Sequence, residues 1–384
     1  MSVFNNNIKV PAVEPWISNN DKKNVSKVLN QKMLTLGPQL EKFEKKFSQY
    51  TNSKYAIGVS NCTAALQLSL LSLGIKNTDE VIIPDLTFVA DANSIVACGA
   101  RPKIVDVNKN DFSISLNEIK RKITKNTKAI IPVHIYGQAC NIDEILQLAH
   151  KNNLHIIEDC AHAVGTFYNK KHVGTFGTTG CFSFYPTKNI TTFEGGMVIT
   201  NSKKIAEKIK QLRSHGMTKS LEKRYSEKFP WEYDVIETGY NYRLDEIRSA
   251  LGISQLSRIK EINRLRSEAA KYYNKKLTKC KGLILPKIVT DKSHSYHLYI
   301  IRVTDDFPLS RNDLFIKLKE AGITTTVYWK PLHMFSAYKK YIKKSENFPN
   351  TNNLYQQILA LPLFPKITKN QQDIVIKKIL EISN

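Results

Sequence analysis

Up to about residue 210, short apolar runs alternate with helical stretches. The β-rich runs at 55–59, 81–84, 103–107, 129–133 and 155–159 predict strands. The stretches 63–73, 90–98, 116–123 and 142–152 predict helices, the first of them nearly continuously apolar. Apolar strands of this length, each followed by a helix, predict an α/β fold whose mostly parallel sheet is covered on both faces. Two further strands, at 180–184 and 196–200, bracket a polar loop, and 203–214 predicts a basic amphipathic helix. From residue 244 the pattern changes to long helical stretches at 244–259 and 262–277. A strand at 296–303, a helix at 311–321, a strand at 324–329 and a last helix at 370–382 follow. This predicts a large domain over 1–250, including an N-terminal segment, and a smaller C-terminal α+β domain over 251–384.

The chain's 384 residues suffice for two domains, and 42% apolar with 24% charged residues is ordinary for a globular protein. Its apolar runs fall short of the roughly 18 residues that span a bilayer. The first residues lack the charged-then-apolar pattern of a secretory leader, so a cytoplasmic location is expected. Cys62, Cys98, Cys140, Cys160, Cys181 and Cys280 form no Cys-x-x-Cys pair and read as buried, reduced thiols; no metal is expected. The formal net charge of +23 favours anionic partners, either nucleic acid or nucleotide-bearing small molecules. The excess is spread over clusters at 120–128, 203–210, 275–281 and 339–344, with no zinc-finger or RNP-like signature, which suits a solvated surface.

In open α/β sheets, ligands bind beyond the carboxyl ends of the strands. Four groups of residues fall there. Ser60-Asn61-Cys62-Thr63 follows the first strand and opens a helix, whose N-terminal amides can hold a phosphate; a plain N-cap is the other reading. Phe88, after the second strand, can stack on a flat ring or belong to the core. Asp159 ends an apolar strand and is followed by Cys160-Ala161-His162; a carboxylate there can keep a pyridine nitrogen protonated. Lys188 lies in the polar loop that starts at Ser183 and ends at Gly195-Gly196. A lysine amine is a nucleophile that burial activates, and it can bind an aldehyde. Lysine for the aldehyde, aspartate for the ring nitrogen and serine for the phosphate are together what pyridoxal 5′-phosphate (PLP) requires. The glycine pair would let backbone pass close to such a cofactor.

With these groups go Asp79-Glu80-Val81-Ile82-Ile83-Pro84, Pro132-Val133-His134-Ile135-Tyr136-Gly137, Arg213-Ser214-His215-Gly216, Gly239-Tyr240-Asn241-Tyr242-Arg243, Pro331-Leu332-His333 and Leu361-Pro362-Leu363-Phe364-Pro365. In this order, and over nearly the whole chain, they resemble the DegT/DnrJ/EryC1/StrS aminotransferases, nucleotide-sugar aminotransferases of PLP fold type I. The resemblance implies that Lys188 holds PLP as a Schiff base and that Asp159 pairs with the ring nitrogen. Phe88 and His162 would flank the ring. Backbone at Cys62 and Thr63, with the Ser183 hydroxyl, would hold the phosphate, and Asn241 would reach the phosphate in a neighbouring subunit, which implies a homodimer with shared active sites. Tyr185, His215, Tyr328, Trp329 and His333 are candidates for the sugar-nucleotide side. The chain departs from the family pattern at Cys62 and Phe193, where glycine is common, and at His162, where glutamine is common.

The implied reaction takes an amino group from glutamate to a keto carbon of a nucleotide-linked 4-keto-6-deoxyhexose. The product is a 4-amino-4,6-dideoxy sugar of the perosamine or viosamine kind. Amination of a 3-keto sugar, and the choice among GDP, UDP and dTDP, stay open at this point. Sugar 3-dehydratases of the family carry histidine in place of Lys188. A basic nucleic-acid-binding or regulatory protein on the same fold is the alternative from another class.

Overall fold

The computed structural model of the chain describes residues 8–219, 226, 228–287 and 293–383. Its main sheet has seven strands: β1 (Tyr55–Val59), β2 (Glu80–Pro84), β3 (Arg101–Val105), β4 (Thr127–Ile130), β5 (His155–Asp159), β8 (Thr179–Ser183) and β9 (Gly196–Thr200). A small hairpin, β6 (Phe167–Tyr168) and β7 (Lys171–His172), lies between β5 and β8. The spatial order is β1-β9-β8-β5-β4-β2-β3. All neighbours run parallel except β9, which is antiparallel to both β8 and β1. That reversal arises because residues 184–195 return the chain in a hairpin-like loop instead of a helical crossover. The loop carrying Lys188 therefore sits at the carboxyl end of β8, next to the carboxyl end of β5.

Helices cover both faces. On one, α3 (Cys62–Ser72), α4 (Val89–Ala97) and α7 (Lys203–Leu212) pack over Ile57, Val81, Ile157 and Val198. Helix α3 is buried on nearly every side, so an amphipathic stripe was neither needed nor present in its sequence. On the other face, α2 (Pro38–Thr51) lays Phe43 and Phe47 against Phe182 and Phe184 of the β8 region, with Phe47 and Phe182 edge to face at 5.0 Å. Helices α1 (Asn19–Val28) and α2 were not predicted; nor were α5 and α6 misplaced, lying at Leu116–Lys122 and Ile142–Lys151.

The later part of the chain begins with α8 (Glu246–Ser257) and α9 (Ile259–Leu277). A second sheet then forms in the order β10 (Leu283–Ile284), β11 (Tyr299–Val303) and β12 (Ile358–Leu361). Around it lie α10 (Arg311–Glu320), α11 (Pro349–Gln357) and α12 (Lys369–Ser383). The strand expected at 324–329 does not form. Thr326 makes a single bridge to Ala360, and the place of the third strand is taken by Ile358–Leu361. Residues 324–329 are rich in β-branched and aromatic side chains, which fit a pleated surface but do not by themselves supply a pairing partner.

Helix α2 opens at Gly37, which has no side chain to cap it. The carboxylate of Glu246, fully buried at the start of α8, does so from a distance in sequence. It accepts N–H bonds from Gly37 (2.9 Å), Gln39 (2.7 Å) and Leu40 (3.0 Å). A Cβ at residue 37 would stand 2.9 Å from that carboxylate, so glycine is required there. Glu246→Ala leaves three donors without their acceptor and should destabilise the protein by about 3 kcal/mol, read as a lower urea midpoint with unchanged slope; Glu246→Gln should cost about half as much. An unaltered midpoint in Glu246→Ala would refute this capping role.

Candidate active site

Strand β5 ends in two consecutive acids, and strand alternation sends them to opposite faces of the sheet. Glu158 points into a closed network, taking N–H bonds from Gly174, Phe176 and Gly177 and facing His134 Nε2 at 2.9 Å. Burial opposes its charge, but His134 and these amides hold its carboxyl below the usual range. Asp159 points the other way, towards the carboxyl edge of the sheet. Its Oδ1 accepts the Ala161 N–H at 2.8 Å. Burial pushes its carboxyl up, with the Ala161 amide and the Lys188 amine opposing.

Lys188 enters from the β8–β9 loop, which is pinned on both sides of it. Its own N–H donates to the Tyr185 carbonyl at 2.9 Å. Next to it, Asn189 Nδ2 donates to Asn263 Oδ1 (2.7 Å) and the Ser295 carbonyl (2.8 Å), and the Thr191 hydroxyl donates to the Phe184 carbonyl. Burial lowers the Lys188 amine to about 8, against the pull of Asp159 and Cys62. Phe193 closes the loop at φ 65°, the left-handed region that glycine favours, which accounts for the family's glycine at this place. The glycine pair serves a purpose different from the one expected. A Cβ on Gly196 would lie 2.5 Å from the Asn61 carbonyl carbon, and one on Gly195 would strike the Thr192 hydroxyl, so the space is filled by protein backbone and side chain.

That contact brings the start of β9 against the start of α3. Asn61 caps the helix, accepting the Ala64 N–H at 2.8 Å. The amides of Cys62 and Thr63, in the first turn, have no intrahelical acceptor and remain for an anion. Cys62 is buried and Thr63 exposed. Burial and the nearby Asp159 raise the Cys62 thiol well above its ordinary value, so it stays protonated. Ser183 is buried at the end of β8. Asn241 lies exposed in the following segment, where its Oδ1 accepts from Arg243 Nε at 2.9 Å.

An aromatic layer lies beside these groups. Phe88, the residue before α4, is 48% exposed and lies 4.8 Å from the ring of Trp329. Trp329 in turn stacks towards His162 at 6.1 Å, and His162 lies 4.3 Å from His297. The Tyr136 amide donates to His162 Nδ1 at 3.2 Å, which leaves the ring proton on Nε2. Burial and the Lys188 amine keep His162 well below the ordinary histidine range, hence neutral. Tyr136 donates its hydroxyl to the Tyr328 carbonyl, and Tyr328 and Tyr185 are close enough to interact. His333 is committed elsewhere: its backbone N–H (2.8 Å) and Nδ1 (2.6 Å) both meet buried Asp85, and its ring stacks on Phe348. His215 is tied through its backbone to Tyr240.

Thus Lys188, Asp159 and Cys62 are brought within electrostatic reach of one another and His162 within reach of Lys188, with Trp329 next to His162 and Phe88 next to Trp329. The donor set suits PLP: an activated amine for the aldehyde, a carboxylate for the ring nitrogen, free helix amides with a hydroxyl for the phosphate, and aromatic faces for the ring. Four residues of this neighbourhood were given no role in the sequence analysis: Asp85, Asp91, Tyr136 and His297. A lone charge in the mostly apolar helix at 89–97 was the signal for Asp91; His297 lay within a predicted strand and carried none.

The model of the DegT/DnrJ/EryC1/StrS aminotransferase family matches residues 15–380. The chain is 37% identical to the spore coat polysaccharide biosynthesis protein SpsC of Bacillus subtilis, over 97% of each chain. It is 36% identical to a GDP-perosamine synthase of Vibrio cholerae, over 94% of this chain and 96% of that one. Among solved structures, S. venezuelae DesV superimposes with a TM-score of 0.90 at 31% identity, covering 98% of both chains. Among the described residues no helix is long and apolar enough to cross a membrane. The chain belongs to the DegT/DnrJ/EryC1/StrS family and is a PLP-dependent aminotransferase.

Proposed function

We propose that the enzyme transfers an amino group from glutamate to C4 of a nucleotide-linked 4-keto-6-deoxyhexose, giving a 4-amino-4,6-dideoxy sugar nucleotide. The observation that carries this reading is the activated Lys188 amine beside Asp159 at the carboxyl edge of the sheet. Similarity over nearly the whole chain to a protein named GDP-perosamine synthase supports a product of the perosamine kind. A net charge of +23 suits an anionic diphosphate substrate, which it would attract from solution.

In this reading the chain's own groups divide the work. Lys188 Nζ would hold the cofactor through its aldehyde and, as a free amine, would be the group that takes up and delivers a proton at the reacting carbons. The Asp159 carboxylate keeps the ring nitrogen protonated. When bound, PLP supplies the electron sink for the carbon that loses its proton. The Cys62 and Thr63 amides and the Ser183 hydroxyl hold the phosphate. Phe88 and neutral His162 flank the ring and exclude water. Tyr185, His215, Tyr328 and Trp329 are the groups this reading offers to the sugar nucleotide, while His333, held by Asp85 through its backbone N–H and Nδ1, would have only Nε2 to give. A second copy of the chain would bring Asn241 to the phosphate. The exposed Leu29, Met33, Leu34, Trp231, Val235 and Ile236 are apolar surface that such a homodimer would cover.

Incubation with glutamate and a panel of 3-keto and 4-keto nucleotide sugars should give, by mass spectrometry, an amine from a 4-keto-6-deoxy substrate. An amine from 3-keto substrates alone would overturn the C4 assignment. Borohydride reduction followed by digestion should place the pyridoxyl mass on Lys188, and Lys188→Ala should lower turnover by more than about a thousandfold. Because the amine must be unprotonated to capture the aldehyde, cofactor-free protein should bind PLP faster as pH rises and level off above about 8. A rate that keeps climbing towards pH 10, the range of an ordinary lysine, would contradict the activated state.

A further inference from the structure

Asp91, on the first turn of α4, has a side chain that its surroundings leave half satisfied. The residue is 1% exposed. Its Oδ2 accepts the Thr87 hydroxyl at 2.6 Å, while its Oδ1 is buried and meets no donor. The carboxyls of Asp91 and Asp159 lie within hydrogen-bonding reach of each other, and Oδ1 is the Asp91 oxygen left open for that contact. Other titratable groups face the pair. They are Cys62 from α3, Cys181 from β8, Tyr338 from the 336–341 turn, and, on the Asp159 side, Lys188 and His134. The Tyr338 hydroxyl already donates to Asn93 Oδ1 at 2.8 Å, and the Cys181 thiol pairs with the Ser69 hydroxyl at 3.3 Å.

Two buried carboxyls in contact cannot both be ionised; they hold one proton and one charge between them. The donors around each decide where the proton resides. Asp159 has the Ala161 amide and the Lys188 amine to support a charge. Asp91 has a single hydroxyl, which already fills Oδ2. A hydrogen on Oδ1 turns the unpartnered acceptor into a donor and completes the set. Burial, with Asp159 alongside, raises the Asp91 carboxyl well above its ordinary value, in the same sense.

We infer that Asp91 is a neutral carboxylic acid that donates its Oδ1–H to Asp159, and so is a positioning residue for the carboxylate that faces the ring nitrogen. The second half of this statement rests on the role proposed for Asp159; the first does not. The donated hydrogen bond keeps Asp159 ionised in a buried place and fixes its orientation, with no second negative charge entering the pocket.

Infrared spectra of the full-length protein, with PLP and after its removal, test the protonation state. The wild-type minus Asp91→Asn difference at neutral pH should show a lost carboxylic-acid C=O stretch; a lost carboxylate stretch instead overturns the inference. The pH profile of kcat/KM tests the positioning role. Asp91→Asn keeps a neutral donor to Asp159 and should stay within about threefold of wild type, with its acid limb in place. Asp91→Ala loses the donor and should move the acid limb up by about one pH unit, with kcat down about tenfold at neutral pH. A limb that moves down in Asp91→Asn would mean a like charge had been removed, and sinks the proposal. Loss of the cofactor reading shows separately, as a reconstituted wild type without a visible absorbance band whose infrared difference is unchanged.

Discussion

Carboxylates buried at the end of a parallel strand must find donors, and that requirement fixes the geometry of this site. Glu158 and Asp159 leave β5 on opposite faces, and each is matched to its own set of partners. Glu158 has three backbone amides and the His134 ring; the Cys140 backbone N–H donates to His134 Nδ1, so the proton that faces Glu158 is on Nε2. Asp159 has the Ala161 amide and the neighbourhood of Lys188. A slip of β5 by one residue would exchange the two environments and leave two acids unmatched. Register, and with it the direction of the Asp159 carboxylate, is therefore held by polar satisfaction as well as by the apolar faces of the sheet.

The lysine is fixed by parts of the chain far apart in sequence. Asn189 anchors the loop to Asn263 on α9 and to Ser295, while Gly196 brings β9 against the first residues of α3. The anion cradle and the amine are thus joined through one close backbone contact. Among the non-glycine residues with positive φ, which are spread along the chain, are Tyr136, Phe193, His215 and Tyr296. Conformations of this kind are uphill by about 1 kcal/mol or more and persist where surrounding contacts over-determine them. Here those contacts are the Tyr136 amide on His162, the Phe193 amide on the Thr191 hydroxyl, and the His215 amide on Tyr240.

Much of this was legible in the sequence because period and strand-end chemistry are local. The seven strands of the main sheet, the acid at 159 and the lysine at 188 were all marked by short runs of residues. Interactions that join distant segments were not. Asp85 holds His333 and Glu246 caps α2, and neither end of such a pair carries a signal on its own. The 324–329 segment shows the opposite failure: strong β propensity, with its pairing place taken by Ile358–Leu361. Helix α1 was missed because its sequence, NNDKKNVSKV, is polar; it is defined by a capping box at Ser18 and Asp21, and Asp21 also meets Arg258.

The balance of charge in the pocket follows from the same burial that shapes it. Burial keeps both neighbouring imidazoles, His162 and His297, well below the ordinary histidine range, and the Lys188 amine adds to the effect. A protonated ring at either place would repel that amine and stand uncompensated in a dry site. In the proposed reading, neutral rings would give a flat cofactor an aromatic wall without competing for the Asp159 charge. The amine, itself lowered by burial to about 8, remains the cation opposite that carboxylate. With one positive and one negative group facing each other beside neutral rings, the proposed reading would have a positively charged heterocycle bind at the acid while the amine handles protons.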